Sequence, residues 1–107
     1  MAKQFNPRTI WLTLRSDLKA GQSFQTWSNT GRAQGVRFSI VDIDAREIVI
    51  KRENDGKTYK NFRASVEGMA EVWDDYLAGS YPRSDMGKFT FASSYVLGIF
   101  ASRAGLA

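Results

Sequence analysis

Apolar residues recur at two different periods along this chain, and the changes of period divide it into elements. Ile10, Trp11, Leu14 and Leu18 fall on one face at helical spacing, while Arg8, Arg15, Ser16 and Lys19 lie elsewhere. Asn6-Pro7 marks the start of this helix. The Asn side chain can accept from free N–H groups, and Pro at the first helical position forfeits no hydrogen bond. The pattern predicts an end near Ala20, with Gly21 able to take positive φ. Phe24 to Trp27 reads as a short strand. Asn29 to Gly35, with two glycines and an Asn-Thr pair, reads as a loop.

From Val36 the period falls to two. Val36, Phe38 and Ile40 alternate with Arg37 and Ser39, which predicts a half-buried strand. Asp42 to Arg46 supplies a turn, and Glu47 to Lys51 a second strand. Asn54-Asp55-Gly56 predicts a hairpin with a type I′ turn at Asp-Gly, leading into a third strand over Lys57 to Phe62. Helical spacing returns with Val66, Met69, Ala70, Trp73 and Leu77, Tyr76 lying at the margin. Ser65 is the expected N-cap, Glu67 supports the first turn and Gly79 ends the helix. Tyr81 to Gly87 is a connector with room for one helical turn. A last helix is expected over Ala92 to Ser102, capped by Thr90, with Phe89 and Phe91 as a hydrophobic staple. Gly98 inside it costs up to ~1 kcal/mol relative to Ala, which implies close packing against another element. The expected fold is a two-layer α+β domain over residues 1–107. An antiparallel sheet of three or four strands is packed by three helices in the order α-β-β-β-α-α, with an extra short strand at 24–27 as the fourth.

Composition narrows the chemistry. The chain has no Cys and no His. Disulfides, thiolate ligands, cysteine nucleophiles, the usual zinc sites and His-based catalysis are thereby excluded. No apolar run approaches the ~20 residues of a membrane helix, and the N-terminus lacks the apolar core of a signal peptide. These features predict a cytoplasmic protein with no membrane partner.

The net charge of +4 conceals an asymmetry. Residues 1–40 hold six basic side chains against Asp17 alone, residues 41–79 hold six against nine acidic ones, and residues 80–107 hold three against one. A basic N-terminal third points to an anionic partner or to self-association of opposite faces. Arg8, Arg15 and Lys19 come from the first helix, and Arg32 and Arg37 flank the glycine-bearing loop, where they could contact nucleic-acid phosphates. Trp27 lies in the same region and could stack on a base. Aromatic residues make up 13% of the chain, more than one small core readily hides, which favours a homodimer.

Other chemistry finds less support in the residues. Glu67, Glu71, Asp74 and Asp75 share a helical face, but a hard-cation site lacks the closely spaced loop ligands it usually needs. A solvated face opposite the apolar stripe, near Lys57, Lys60 or Arg63, accounts for them better. The acid-x-Lys triplet of restriction-type nucleases fails, because Val49 stands two before Lys51. Glu47 and Lys51 would sit about 13 Å apart on a strand. Lys88-Phe89-Thr90-Phe91 resembles the basic-aromatic centre of an RNA-recognition strand, yet position 94 is Ser and the element order is wrong. The last two helices make a poor helix-turn-helix, being separated by a long connection and ending in a core-like helix. No serine-hydrolase elbow, phosphate loop or dinucleotide-binding glycine pattern occurs. No catalytic residue, metal site or cofactor is therefore assigned.

The strand pair Phe38–Arg52, then Trp73-x-x-Tyr76-Leu77-x-Gly79, Arg83 and Ser93-Ser94-Tyr95-Val96-Leu97-Gly98-Ile99 resemble small bacterial orphan proteins carried on mobile elements, of the integron gene-cassette type. The resemblance covers about two-thirds of the chain from Val36 on. It implies a bacterial cytoplasmic protein and carries over no catalytic residue. The residues favour a non-enzymatic binding or adaptor protein that contacts nucleic-acid phosphates through its basic third. The alternative is a pocket protein holding a small apolar or anionic ligand between sheet and helices.

Overall fold

A computed structural model describes residues 3–28 and 32–106. Helix α1 (Ile10–Asp17) precedes four strands, β1 (Ser23–Trp27), β2 (Ala33–Ile43), β3 (Glu47–Arg52) and β4 (Thr58–Phe62). Helix α2 (Arg63–Ala78), a short 3₁₀ helix (Arg83–Lys88) and helix α3 (Ser93–Arg103) follow. The strands form one antiparallel meander in the order β1-β2-β3-β4. The expected α+β architecture and element order are therefore present, with 24–27 supplying the fourth strand.

The sheet buries one face. Phe24, Phe38, Ile40, Ile48 and Ile50 turn into the core with Trp11, Leu14, Met69, Trp73, Leu97 and Phe100 from the helices. Lys51, Thr58 and Lys60 lie exposed on the other face. Two bulges bend the simple alternation. One lies between Ile40 and Asp42 and lets both Ile40 and Ile43 face inward while Val41 is exposed. The other lies between Gln25 and Trp27, so that Thr26 and Trp27 are buried in succession.

Several boundaries shift for identifiable reasons. Asn6 does organise the entry to α1, accepting from the Arg8 N–H through Oδ1 at 2.9 Å and from the Ile10 N–H through its carbonyl at 2.8 Å. Residues 7–9 form that entry turn and the regular helix starts only at Ile10. The helix stops at Asp17, earlier than the spacing suggests, because Leu18 turns extended with its side chain buried. The Gly21 N–H then bonds the Ile40 carbonyl at 2.7 Å. Ala33 to Gly35 belong to β2 rather than a loop, and Asn29, Thr30 and Gly31 of that expected loop lie outside the described residues.

The β3–β4 hairpin is closed by Arg52 and Lys57, and Gly56 at φ 72° is its one residue in the left-handed region. A type I′ turn needs two such residues, so the expected two-residue turn is replaced by a four-residue loop, Glu53 to Gly56. β4 runs straight into α2, which makes Phe62 the N-cap instead of Ser65. The Ser65 hydroxyl donates to the Phe89 carbonyl at 2.8 Å. Tyr76 is buried, donating to the Ser28 carbonyl at 2.9 Å, whereas Leu77 is the residue left exposed. Phe89 stacks on Tyr81, but Phe91 is 96% exposed and closes no staple. Ala92, not Thr90, is the N-cap of α3. Thr90 donates instead to the Asn61 carboxamide at 2.9 Å.

Candidate anion-binding surface

Helix α1 has an inner and an outer side. Ile10, Trp11 and Leu14 are buried, while Leu12 and Arg15 are exposed three residues apart and Arg8 is exposed on the entry turn. The Trp11 indole donates to the Asp44 carbonyl at 3.0 Å, which fastens α1 to the β2–β3 turn. That turn is wound around the Asp44 carboxylate, which accepts from the N–H groups of Arg46 at 2.7 Å and Glu47 at 3.0 Å. These two bonds hold the Asp44 carboxyl below its ordinary pKa, and the nearby charges of Arg15 and Arg46 lower it further. Arg15 and Arg46, 31 positions apart in the chain, thus flank one turn.

Arg8, Arg15, Lys19 and Arg46 are all exposed and form no ion pair among the described residues. Asp44, whose carboxyl feels the charges of Arg15 and Arg46, is hydrogen bonded to backbone N–H groups rather than to a cation. The result is a cationic end of the molecule, with Leu12 exposed in it and the exposed Asp42 and Asp44 beside it.

The remaining predicted contact residues lie elsewhere. Arg32 stands at the far end of the β1–β2 hairpin, where its carbonyl accepts from the Ser28 N–H at 2.7 Å. Arg37 lies on the open sheet face and donates to the Ser23 hydroxyl at 3.0 Å, which in turn donates to Glu53 at 2.6 Å. Trp27 is buried by the β1 bulge and presents no open ring face on which a base could stack. The structure therefore sets Arg15 with Arg46 at the Asp44 turn, leaves Arg8 just ahead of α1 and Lys19 just past its end, and places Arg32 and Arg37 on other elements. No periodicity pointed to Arg46, because the contact that places it spans 33 positions.

The acidic stripe of α2 is occupied by its own chain. Glu67 pairs with Arg63 at 3.3 Å, Glu71 with Lys3, and Asp74 accepts the Gln4 N–H at 3.1 Å. Glu47 pairs across strands with Lys60 at 3.5 Å. No group of three or more Asp or Glu side chains able to hold a metal occurs among the described residues. No described helix is long and apolar enough to cross a membrane. No family model, no curated protein and no solved structure matches this chain.

Proposed function

We propose that the protein is a non-enzymatic, cytoplasmic binding protein that takes a nucleic-acid backbone on the cationic end formed by α1 and the β2–β3 turn. The observation that carries this reading is that Arg15 and Arg46 meet at the Asp44 turn while neither they nor Arg8 and Lys19, at the two ends of α1, form an ion pair among the described residues. Unpaired, exposed guanidinium groups can take phosphates at little desolvation cost, and the bidentate fork of Arg suits phosphate oxygens. Base-specific readout has no support here, since no stacking ring accompanies the cations. The bacterial, mobile-element origin implied by the sequence resemblance belongs to the same proposal.

The test is a salt titration of binding to one duplex of arbitrary sequence. Four phosphate contacts would give a slope of about −3.6 in log K against log [salt]. Replacing Arg15 and Arg46 together with Ala lowers that slope by about 1.8. Absence of binding at about 50 mM salt, or a slope indifferent to both substitutions, would overturn the reading.

A homodimer is the partner reading that a further observation favours. Of the aromatic side chains among the described residues only Phe62 and Phe91 are largely exposed, at 59% and 96%. Their neighbours Asn61 and Thr90 are hydrogen bonded, which puts both rings near the outer strand β4. Sedimentation equilibrium giving a single 12.0 kDa species at micromolar concentration would remove the dimer and leave the cationic end untouched.

A further inference from the structure

The chain from Lys3 to Asn6 lies over the helices and encloses a space with them. Lys3 donates to the Glu71 carbonyl at 2.8 Å, and the Phe5 ring packs between Trp73 and Phe100 at 5.7 and 4.8 Å. A cavity of about 410 Å³ opens between this segment, the start of α1 at Thr9 and Thr13, and Arg103 at the end of α3. It borders the core at Phe5 and Ile10 and is not lined by Arg15 or Arg46.

The lining is rich in donors. The Gln4 carboxamide oxygen is taken by the Trp73 indole at 3.0 Å, and that of Asn6 by the Arg8 N–H at 2.9 Å. Each amide is thereby oriented with its NH₂ group unused among the described residues. Thr9 and Thr13 stand one helical turn apart, and their hydroxyls make no hydrogen bond among the described residues. The Arg103 guanidinium gives Nη2 to Asp17 at 2.9 Å, which fixes it in place with other N–H groups still available. Phe5 and Ile10 lie behind these groups and are almost wholly buried, Lys3 at the rim is paired with Glu71, and no carboxylate lines the space.

The geometry points to a second binding site, for a small organic anion, a carboxylate or phosphate monoester. The anionic head sits toward Arg103 and the threonine hydroxyls. A volume of this size matches the lower range of small-molecule pockets. Donors without a lining acid select against cations.

Calorimetric titration with 1-naphthyl phosphate, and with uncharged 1-naphthol, tests the assignment. The phosphate ester binds and the naphthol binds at least about tenfold more weakly. Thr13→Phe fills the space and abolishes binding, and Arg103→Met weakens it about tenfold or more. Asp17→Asn removes the competing negative charge but leaves a carboxamide oxygen that can accept from Arg103 Nη2, so it binds as well as the unaltered protein or better. A merely structural role for Arg103 would make Asp17→Asn lose binding equally, and that result overturns the site. Absence of binding to the unaltered protein also overturns it, as does binding that survives Thr13→Phe. Loss of naphthyl phosphate binding on replacing Arg15 and Arg46, with Thr13→Phe harmless, would assign the ester to the cationic end instead.

Discussion

Gly98 carries no side chain because the Gln25 carbonyl stands where one would go. A Cβ at that position would lie 2.1 Å from the Gln25 oxygen and 3.3 Å from the Phe38 ring. The helix α3 thus rests on the backbone of β1, and the cost of a mid-helix glycine is offset by that approach. A backbone oxygen cannot rotate away as a side chain could. Gly98→Ala therefore forces α3 off the sheet and destabilises the fold by roughly 3 kcal/mol, the upper part of the range for overpacking. A urea melt of the variant measures this through its midpoint, and an unchanged midpoint would mean that α3 does not dock on β1 this closely. Gly56 answers to a different cause. No neighbour closer than 3.6 Å crowds its missing Cβ, but its φ of 72° is strained for any side chain. Gly56→Val should cost about 1–3 kcal/mol in the same experiment.

At the scale of elements, the β3–β4 hairpin shows how local chemistry can complete a turn. Arg52 forms an ion pair with Asp55 and places its guanidinium over the Tyr59 ring at 5.6 Å, while Tyr59 stacks on Tyr95 of α3 at 5.1 Å. The Arg52 hydrogen bond, followed by the Lys57 N–H, depresses the Asp55 pKa from 3.8 to about 2. A carboxyl more acidic in the folded state adds stability above its unfolded pKa and loses it as pH falls through the folded value. The gap in urea midpoint between the unaltered protein and Asp55→Asn should accordingly be open at neutral pH and close between about 3.8 and about 2. A gap independent of pH would mean the ion pair contributes nothing. Asn54-Asp55-Gly56 announced this hairpin in the sequence, and the periods of two and 3.6 announced the strands and helices around it. What they could not announce were departures from period. The bulges that bury Thr26 with Trp27 and Ile40 with Ile43 depend on the strand opposite, and the early end of α1 depends on where Leu18 finds its pocket. For the same reason the candidate surface was only half legible. Arg15 follows from helical spacing, but Arg46 joins it through the long-range bond between Trp11 and Asp44.

Across the whole molecule, the uneven distribution of charge along the chain is partly undone by folding. Lys3 reaches Glu71 and so joins the basic third to the acidic middle, while Arg103 reaches Asp17, the one acid of the basic third. What remains unpaired falls into separate places. β2 runs from Ala33, beside Arg32, to Ile43, beside the Asp44 turn, and at a strand's rise it spans about 33 Å. The longest dimension of the molecule is 36 Å. Arg37 lies seven residues before Asp44, roughly 23 Å at the same rise and on the open sheet face. Both separations exceed the ~8–10 Å over which exposed charges influence each other at ordinary salt. Arg32 and Arg37 should therefore behave as spectators when a duplex is held at the α1 end. Replacing this pair with Ala is expected to leave the salt slope of duplex binding unchanged, while replacing Arg15 and Arg46 lowers it by about 1.8. The two double variants remove the same net charge, so a general field effect of a basic protein would reduce both slopes alike. Equal reductions would show that the duplex is attracted by net charge alone and that α1 and the β2–β3 turn hold no particular place in its binding.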